Sequence, residues 1–233
     1  MFGFGQLIGI LKKNPKKIVF TEGEDPRILE ASSRLLASYF LHPILIGDEK
    51  RIADAAEESG FNIRGAEIID PEKFDKIDEM VELYCELRKK KGVTPDQARE
   101  ILKQANYFGT MLVKMGFADA LLGGATYSTA DTVRPALQLI KTKPGNNLVS
   151  SCFILVRPSA TGDNEVLAMG DCAININPTE DDLVEIAGET AKCARIFDVD
   201  PKIAFLSYST HGSGKGEAVD KMRNAAQLSL IHI

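Results

Sequence analysis

Short apolar runs alternate with amphipathic helical patterns along this chain, and that alternation constrains its fold more than any other feature. Lys17-Ile-Val-Phe-Thr21, Pro43-Ile-Leu-Ile-Gly47, Ala66-Glu-Ile-Ile-Asp70 and the stretch from Asp119 to Leu122 read as strands. Between them the apolar spacing is helical. Asp25 is placed to cap a helix with Pro26 at its first position and Ile28, Leu29, Leu35 and Leu36 as the apolar stripe. A second helix is expected from Glu49 to Glu58, and a long one from about Glu72 to Lys90, ended by Gly92. Thr94-Pro95-Asp96-Gln97 has the N-cap, first-turn proline and reciprocal glutamine of a capping box, with helical pattern resuming to Met115. Thr129 to Ile140 is a further helix. The order β-α-β-α with apolar strands predicts an α/β fold of mostly parallel sheet flanked by helices.

Lys141-Thr-Lys-Pro-Gly-Asn-Asn147 is the clearest break, and a domain boundary is expected there, giving domains over 1–147 and 148–233. Beyond it, Ser151 to Val156 and Val166 to Asp171 read as a hairpin turning around Thr161-Gly-Asp-Asn164. Thr179 caps a helix to about Phe197, Lys202 to Ser207 returns to strand, and a helix runs from Lys215 to Ala226. The ending, Leu228-Ser-Leu-Ile-His-Ile233, offers neither cap nor strand partner, so the chain is expected to be cut short, with its second domain and a return segment incomplete.

The chain has 233 residues, with 28 Lys and Arg against 33 Asp and Glu and a net charge of −5, so no basic excess points to nucleic acid. No run approaches the ~20 apolar residues of a membrane span, and the apolar N-terminus lacks the charged start and cleavage site of a signal peptide. A short amphipathic helix is expected there instead, in a cytoplasmic protein. Four cysteines without a C-x-x-C pair, and 3 histidines, give no metal-ligand spacing. Buried free thiols fit them, and core packing fits Cys172, which has no adjacent basic residue to activate it.

Two loops carry the chemistry. Leu121-Leu-Gly-Gly-Ala-Thr-Tyr-Ser-Thr-Ala-Asp-Thr-Val-Arg-Pro135 leaves a strand through glycines, crosses Ser128 and Thr129, and enters a helix bearing Arg134. Phe205-Leu-Ser-Tyr-Ser-Thr-His-Gly-Ser-Gly-Lys-Gly-Glu217 repeats that logic with Ser207, Ser209, Thr210, Ser213 and Lys215. Such loops can turn N–H groups, hydroxyls and a cation toward an anion at the positive end of a helix. Gly212-Ser-Gly-Lys-Gly216 in the second loop is neither a P-loop nor a dinucleotide fingerprint: a P-loop would need a glycine where Ser209 stands and a hydroxyl where Gly216 stands, and the third glycine of the fingerprint falls one residue early. Arg88 and Arg134 each lie near a helix terminus and can clamp phosphate through two parallel bonds. His211, inside the second loop, can serve as base or ligand, or simply sit in solvent.

Five ordered stretches resemble the phosphate acetyl/butyryltransferase family, and phosphate acetyltransferase within it: Glu22 to Arg27, Tyr84 to Gly92, Gly124 to Gln138, Asp171 to Pro178 and Leu206 to Lys215. The likeness extends from about Lys17 to Ala226. It implies reversible acetyl transfer between coenzyme A and inorganic phosphate, giving acetyl phosphate, by two α/β domains with a cleft between them, usually in a homodimer and without a tightly bound cofactor. Arg88 and Arg134 match arginines implicated in coenzyme A or phosphate binding. Ser128, Thr129, Ser207, Ser209, Thr210 and Ser213 match hydroxyl-bearing loops facing the cleft. The family's base, an aspartate near a Ser-Arg-Gly motif, has no counterpart here, so the chain by itself is expected to have little or no activity. Three other readings stay open: a phosphate butyryltransferase, an acyl-coenzyme A-sensing domain like that fused to malic enzyme, and a nicotinamide-dependent dehydrogenase lacking its glycine fingerprint.

Overall fold

The computed structural model describes residues 4–158, 164–210 and 212–232. The turn expected around Thr161 and the side chain of His211 fall on or beside positions outside the described residues. The chain divides into two compact units, one over residues 5–141 and one from 142 onward.

In the first unit, α1 (Phe4–Lys13) leads into β1 (Lys16–Phe20), α2 (Pro26–Ser38), β2 (Leu41–Ile46), α3 (Glu49–Ser59), β3 (Glu67–Ile69), α4 (Ile77–Leu87), α5 (Pro95–Leu102), α6 (Ala105–Lys114), β4 (Ala120–Leu122) and α7 (Thr129–Leu139). The strands form one parallel sheet in the order β3-β2-β1-β4. Parallel register sets Val19 beside Ile44 and Leu121, and Phe20 beside Leu45. Because side chains alternate along a strand, these two sets face opposite sides. Val19, Ile44 and Ile46 pack under Met80, Tyr84, Phe108 and Leu112 of α4 and α6, with Leu102 of α5 and Leu139 of α7. Phe20 and Leu45 pack under Leu29 of α2 and Ile52 of α3. Both faces are therefore covered by helices, the arrangement that apolar parallel strands require.

The local signals act as their chemistry dictates. Asp25 accepts from the Arg27 N–H and caps α2 with Pro26 in its first turn. Thr94 and Gln97 form the reciprocal box that starts α5. The long helix expected from Glu72 begins only at Ile77, because Asp70 bends the chain by accepting the Glu72 N–H at 3.0 Å, and Phe74 turns inward against Phe108. After Arg88 a single 3-10 turn, Lys89–Lys91, closes on Gly92.

Ser32 on α2 is fully buried, and its hydroxyl has no hydrogen-bond partner among the described residues. An unpaired buried donor is destabilising, and alanine is a better helix former than serine. Ser32→Ala is expected to raise stability by about 1 kcal/mol in denaturant titration; a loss of stability would show that the hydroxyl has a partner.

The second unit holds β5 (Cys152–Pro158), β6 (Asn164–Gly170), α8 (Glu180–Ile196) and α9 (Glu217–His232). β5 and β6 form the expected antiparallel hairpin, with Cys152 opposite Gly170. Thr179 and Asp182 make a second capping box at the start of α8. Two expectations are corrected. Lys202 to Ser207 is not a strand: no ladder forms there among the described residues, and Ile203 and Leu206 are exposed. The last helix does not stop at Ala226 but continues through the apolar tail to His232, burying Ser229. The four cysteines are free and half-buried rather than fully buried. Cys172 donates its thiol to the Met169 carbonyl at 2.9 Å. Burial, with a hydrogen bond between its thiol and that of the neighbouring Cys193, pushes the Cys152 thiol up to about 11. Among the described residues no helix is long and apolar enough to cross a membrane, and no cluster of side chains could hold a metal ion.

Acid sensitivity follows from carboxylates held below the ordinary aspartate value of 3.8. Asp25 is lowered chiefly by the Arg27 guanidinium, which reaches both its oxygens at 2.9 and 2.7 Å. Asp119 is lowered chiefly by the Lys16 ammonium at 2.9 Å and the Lys17 N–H. Depressed native values mean the unfolded chain binds more protons, so this stabilisation is complete above about pH 4 and is lost as pH falls through the native values. Asp25→Asn keeps the helix cap and removes the charge. Its unfolding free energy is expected to fall less steeply below pH 4 than the parent's; identical acid limbs would remove Asp25 from the account.

Candidate functional site

The sheet order reverses direction at β1, whose neighbours are β2 on one side and β4 on the other. In open parallel sheets the crevice beyond the carboxyl ends of the strands at such a point is where ligands bind. A hollow of about 760 Å³ lies there, lined by Thr21 and Glu22 after β1, Gly47 and Asp48 after β2, Lys73 after β3 and Thr126 after β4.

The loop after β4 is fixed from several sides. Thr126 donates its N–H to Glu22 Oε1 at 2.6 Å and its hydroxyl to the same oxygen at 3.2 Å. Gly124 donates its N–H to Glu22 Oε2 at 3.2 Å, and Thr21 donates its hydroxyl there at 3.1 Å. Arg27 reaches the Ala125 carbonyl at 2.7 Å. A Cβ on Gly123 would stand 2.6 Å from the Thr21 hydroxyl oxygen, so only glycine lets the loop pass so close to β1.

From that loop the chain enters α7. Ser128 is its N-cap: the side chain accepts the Asp131 N–H and donates to Asp131 Oδ2 at 2.6 Å. That hydroxyl bond, ahead of the Arg134 charge, holds the Asp131 carboxyl below its ordinary value. The N-terminus of α7 is thus capped from within, while Thr129 stands exposed at its first position. Arg134, one turn on, is exposed, and among the described residues it makes no hydrogen bond or ion pair. It lines a smaller hollow of about 220 Å³ with Asn106 and Tyr107.

Tyr107 links this place to Arg88. Its ring meets Tyr84 edge-on at 6.4 Å, and its hydroxyl donates to Gln138 at 3.3 Å. Arg88, one turn beyond Tyr84, closes α4, and its Nε is buried without a hydrogen-bond partner among the described residues. Burial holds the Tyr84 phenol above its ordinary value against the opposing pull of the Arg88 charge. Arg88, Ser128, Thr129 and Arg134 therefore all lie in the first unit, joined through α4, α6 and α7.

The second unit carries the other five candidates on one loop folded on itself. Ser207 Oγ accepts the Ser209 N–H at 3.1 Å, and Ser209 Oγ accepts the Gly214 N–H at 2.9 Å. Thr210 donates its N–H to Ser213 Oγ at 3.1 Å, and Tyr208 donates its hydroxyl to the Lys215 carbonyl at 2.9 Å. Gly214 packs where a Cβ would meet the Tyr208 ring at 2.8 Å. Three of the serines thus serve first to close the loop. Among the described residues the Lys215 ammonium makes no ion pair, so it is the charge this loop has to offer.

A family profile described as phosphate acetyl/butaryl transferase matches residues 4–231. The chain belongs to that family. Phosphate acetyltransferase of Bacillus subtilis (strain 168) is 47% identical over 213 residues, which are 91% of this chain and 64% of that protein. Phosphate acetyltransferase of Thermoanaerobacterium thermosaccharolyticum is 44% identical over 220 residues, 94% of this chain and 66% of the relative. The chain thus spans less than two thirds of the length of these family members. Among solved structures, a phosphotransacetylase from Streptococcus pyogenes superposes with a TM-score of 0.87 at 44% identity, covering 99% of this chain and 70% of its own. A phosphotransacetylase from Staphylococcus aureus superposes with a TM-score of 0.84 at 42% identity, covering 98% and 68%. The stretches quoted from the sequence all lie within the matched region.

One residue of this family member escaped the sequence reading as a site component. Glu22 was visible only as part of a family stretch, although a lone glutamate ending an apolar strand is a readable signal of a buried carboxylate with donors around it.

Proposed function

We propose that this chain provides the coenzyme A- and phosphate-binding surface of a phosphate acetyltransferase, which moves an acetyl group reversibly between acetyl-coenzyme A and inorganic phosphate. The observation carrying this reading is the family match over residues 4–231, with relatives at 47% and 44% identity that are phosphate acetyltransferases. The guanidinium of Arg134 beside a fixed helix start supports it, as does the Lys215 ammonium, neither of which has an ion-pair partner among the described residues. Both substrates are anions. Arg134 and Arg88 clamp phosphate groups, Lys215 adds a cation, and Thr129 offers a hydroxyl, so the barrier falls mainly by holding thiol and phosphate together and by stabilising the tetrahedral oxyanion. In this reading the loops at Ser128 and Ser209 address one ligand, the enzyme is a cytoplasmic homodimer, and it needs no tightly bound cofactor. A base to deprotonate the thiol of coenzyme A when acetyl phosphate is the donor is not among these residues.

Calorimetry and hydrogen exchange with coenzyme A test this. Binding is expected, with amides of both 126–134 and 207–216 slowed in the complex. Protection of one loop alone would sink the shared-ligand reading, and no binding would sink the function. Coupled assay of acetyl phosphate formation is expected to give background turnover, and normal turnover would show that the base lies within this chain.

A further inference from the structure

We propose that Glu22 is a positioning residue, an internal carboxylate seated among the N–H groups of the β4–α7 loop that fixes where Ser128, Thr129 and Arg134 stand. The proposal rests on the functional reading above for its consequence, but not for its geometry. Glu22 is only 9% exposed, at the carboxyl end of the central strand β1. Its two oxygens receive four donors: the N–H and hydroxyl of Thr126 at 2.6 and 3.2 Å, the N–H of Gly124 at 3.2 Å and the hydroxyl of Thr21 at 3.1 Å. An ionised carboxylate is acceptor-only with about four lone-pair sites, so this environment matches its capacity.

The loop's orientation follows. Sequence alone suggests a glycine-rich turn whose N–H groups point toward an incoming phosphate. In the structure two of those N–H groups, Gly124 and Thr126, point back at Glu22. The internal anion takes the place a ligand would occupy, which leaves Arg134 and Thr129 as the groups facing outward. Arg27 holds the same loop from its carbonyl side, through Ala125. With Gly123 pressed against Thr21, the residues entering α7 have little freedom, and the helix inherits its direction from them.

Glu22→Gln and Glu22→Ala separate this from a merely structural role. The glutamine keeps one oxygen for Thr126 and puts an amide N–H₂ where Oε2 stood, so the Gly124 bond is lost and the Thr21 hydroxyl keeps its bond only by turning to accept. In Glu22→Ala the amide resonances of Ser128, Thr129 and Arg134 are expected to move and broaden in NMR spectra, with coenzyme A affinity falling at least about tenfold, as loss of charge-assisted bonds predicts. Added formate, a carboxylate small enough for the vacated place, is expected to restore both. Glu22→Gln should keep the downfield Thr126 amide resonance that a short bond to a carboxylate gives, shift that of Gly124, and bind with intermediate affinity. Unmoved resonances at 128, 129 and 134 in a folded Glu22→Ala would overturn the proposal, as would formate restoring stability but not those resonances. If Glu22→Ala does not fold, Glu22→Gln decides by the same signals. A parent chain that binds no coenzyme A defeats the functional reading alone, since the resonances still report whether Glu22 sets the loop.

Discussion

Replacing Arg134 with alanine is expected to weaken coenzyme A binding about 10- to 100-fold and to leave the melting temperature unchanged within roughly 2 °C. The side chain is exposed and, among the described residues, makes no hydrogen bond or ion pair, so its removal leaves no group unsatisfied. Asp131, whose carboxyl feels the Arg134 charge, is already held by Ser128. A charge-assisted hydrogen bond contributes roughly 1.5–3 kcal/mol, and that range sets the expected loss. Lysine at this position keeps the charge but loses the planar fork, so Arg134→Lys should recover only part of the affinity. Calorimetry on the three proteins checks this: equal affinity in Arg134→Ala removes the residue from the site. Arg88 is expected to behave differently. Its Nε is buried without a hydrogen-bond partner among the described residues, so Arg88→Ala changes packing and binding together and is the less clean probe.

The second large effect is on the fold. Phe108→Ala is expected to destabilise the chain by about 4 kcal/mol and lower its melting temperature by roughly 10 °C. Phe108 is completely buried on α6, between the sheet and Phe74, whose ring it meets edge-on at 5.3 Å and 86°. Phe74 in turn meets Phe117 at 5.7 Å, so the cavity opens at the end of a row of three rings, on the side against the sheet. Close approach of α6 to the strands limits collapse. Gly109 already sits where a Cβ would come within 3.0 Å of Val19. A melting shift below about 2 °C would show that neighbouring rings refill the space.

The fold of the first unit was legible because its signals are local. Asp25-Pro26 and Thr94 with Gln97 carry their helix starts within four residues, and alternate burial of Val19 and Phe20 is built into the pleat of a strand. What failed was non-local. Lys202 to Ser207 has the composition of a strand, but a strand exists only beside a partner, and pattern cannot supply one. The helix expected from Glu72 lost its first turns to a bend held by Asp70 and to the inward Phe74, a tertiary contact that outweighs propensity.

The sequence names the residue types of the candidate loops but not the directions in which their side chains turn. A serine before a helix can cap it or face a ligand, and Ser128 does the first. Ser207, Ser209 and Ser213 likewise turn to their own loop. The two arginines were singled out because a long cation near a helix end can reach an anion, whereas Glu22 was passed over because three of its four donors come from residues about 100 positions away.

The hairpin of the second unit is apolar on both sides. Cys152, Ile154 and Val166 share the face turned to α8, while Phe153, Leu155, Leu167 and Met169 form the outer one, each about half exposed. A slip of one residue would trade one oily surface for the other, so water gives the pairing little reason to prefer its alignment. What selects it is fit and charge: Gly170 lies where any Cβ would come within 2.5 Å of the Thr190 hydroxyl oxygen, and Arg157 bonds Glu165 across the strands at 2.7 Å. Alignment here is keyed by the smallest side chain and one ion pair, so exchanging Gly170 for a larger residue would leave two competing pairings nearly equal.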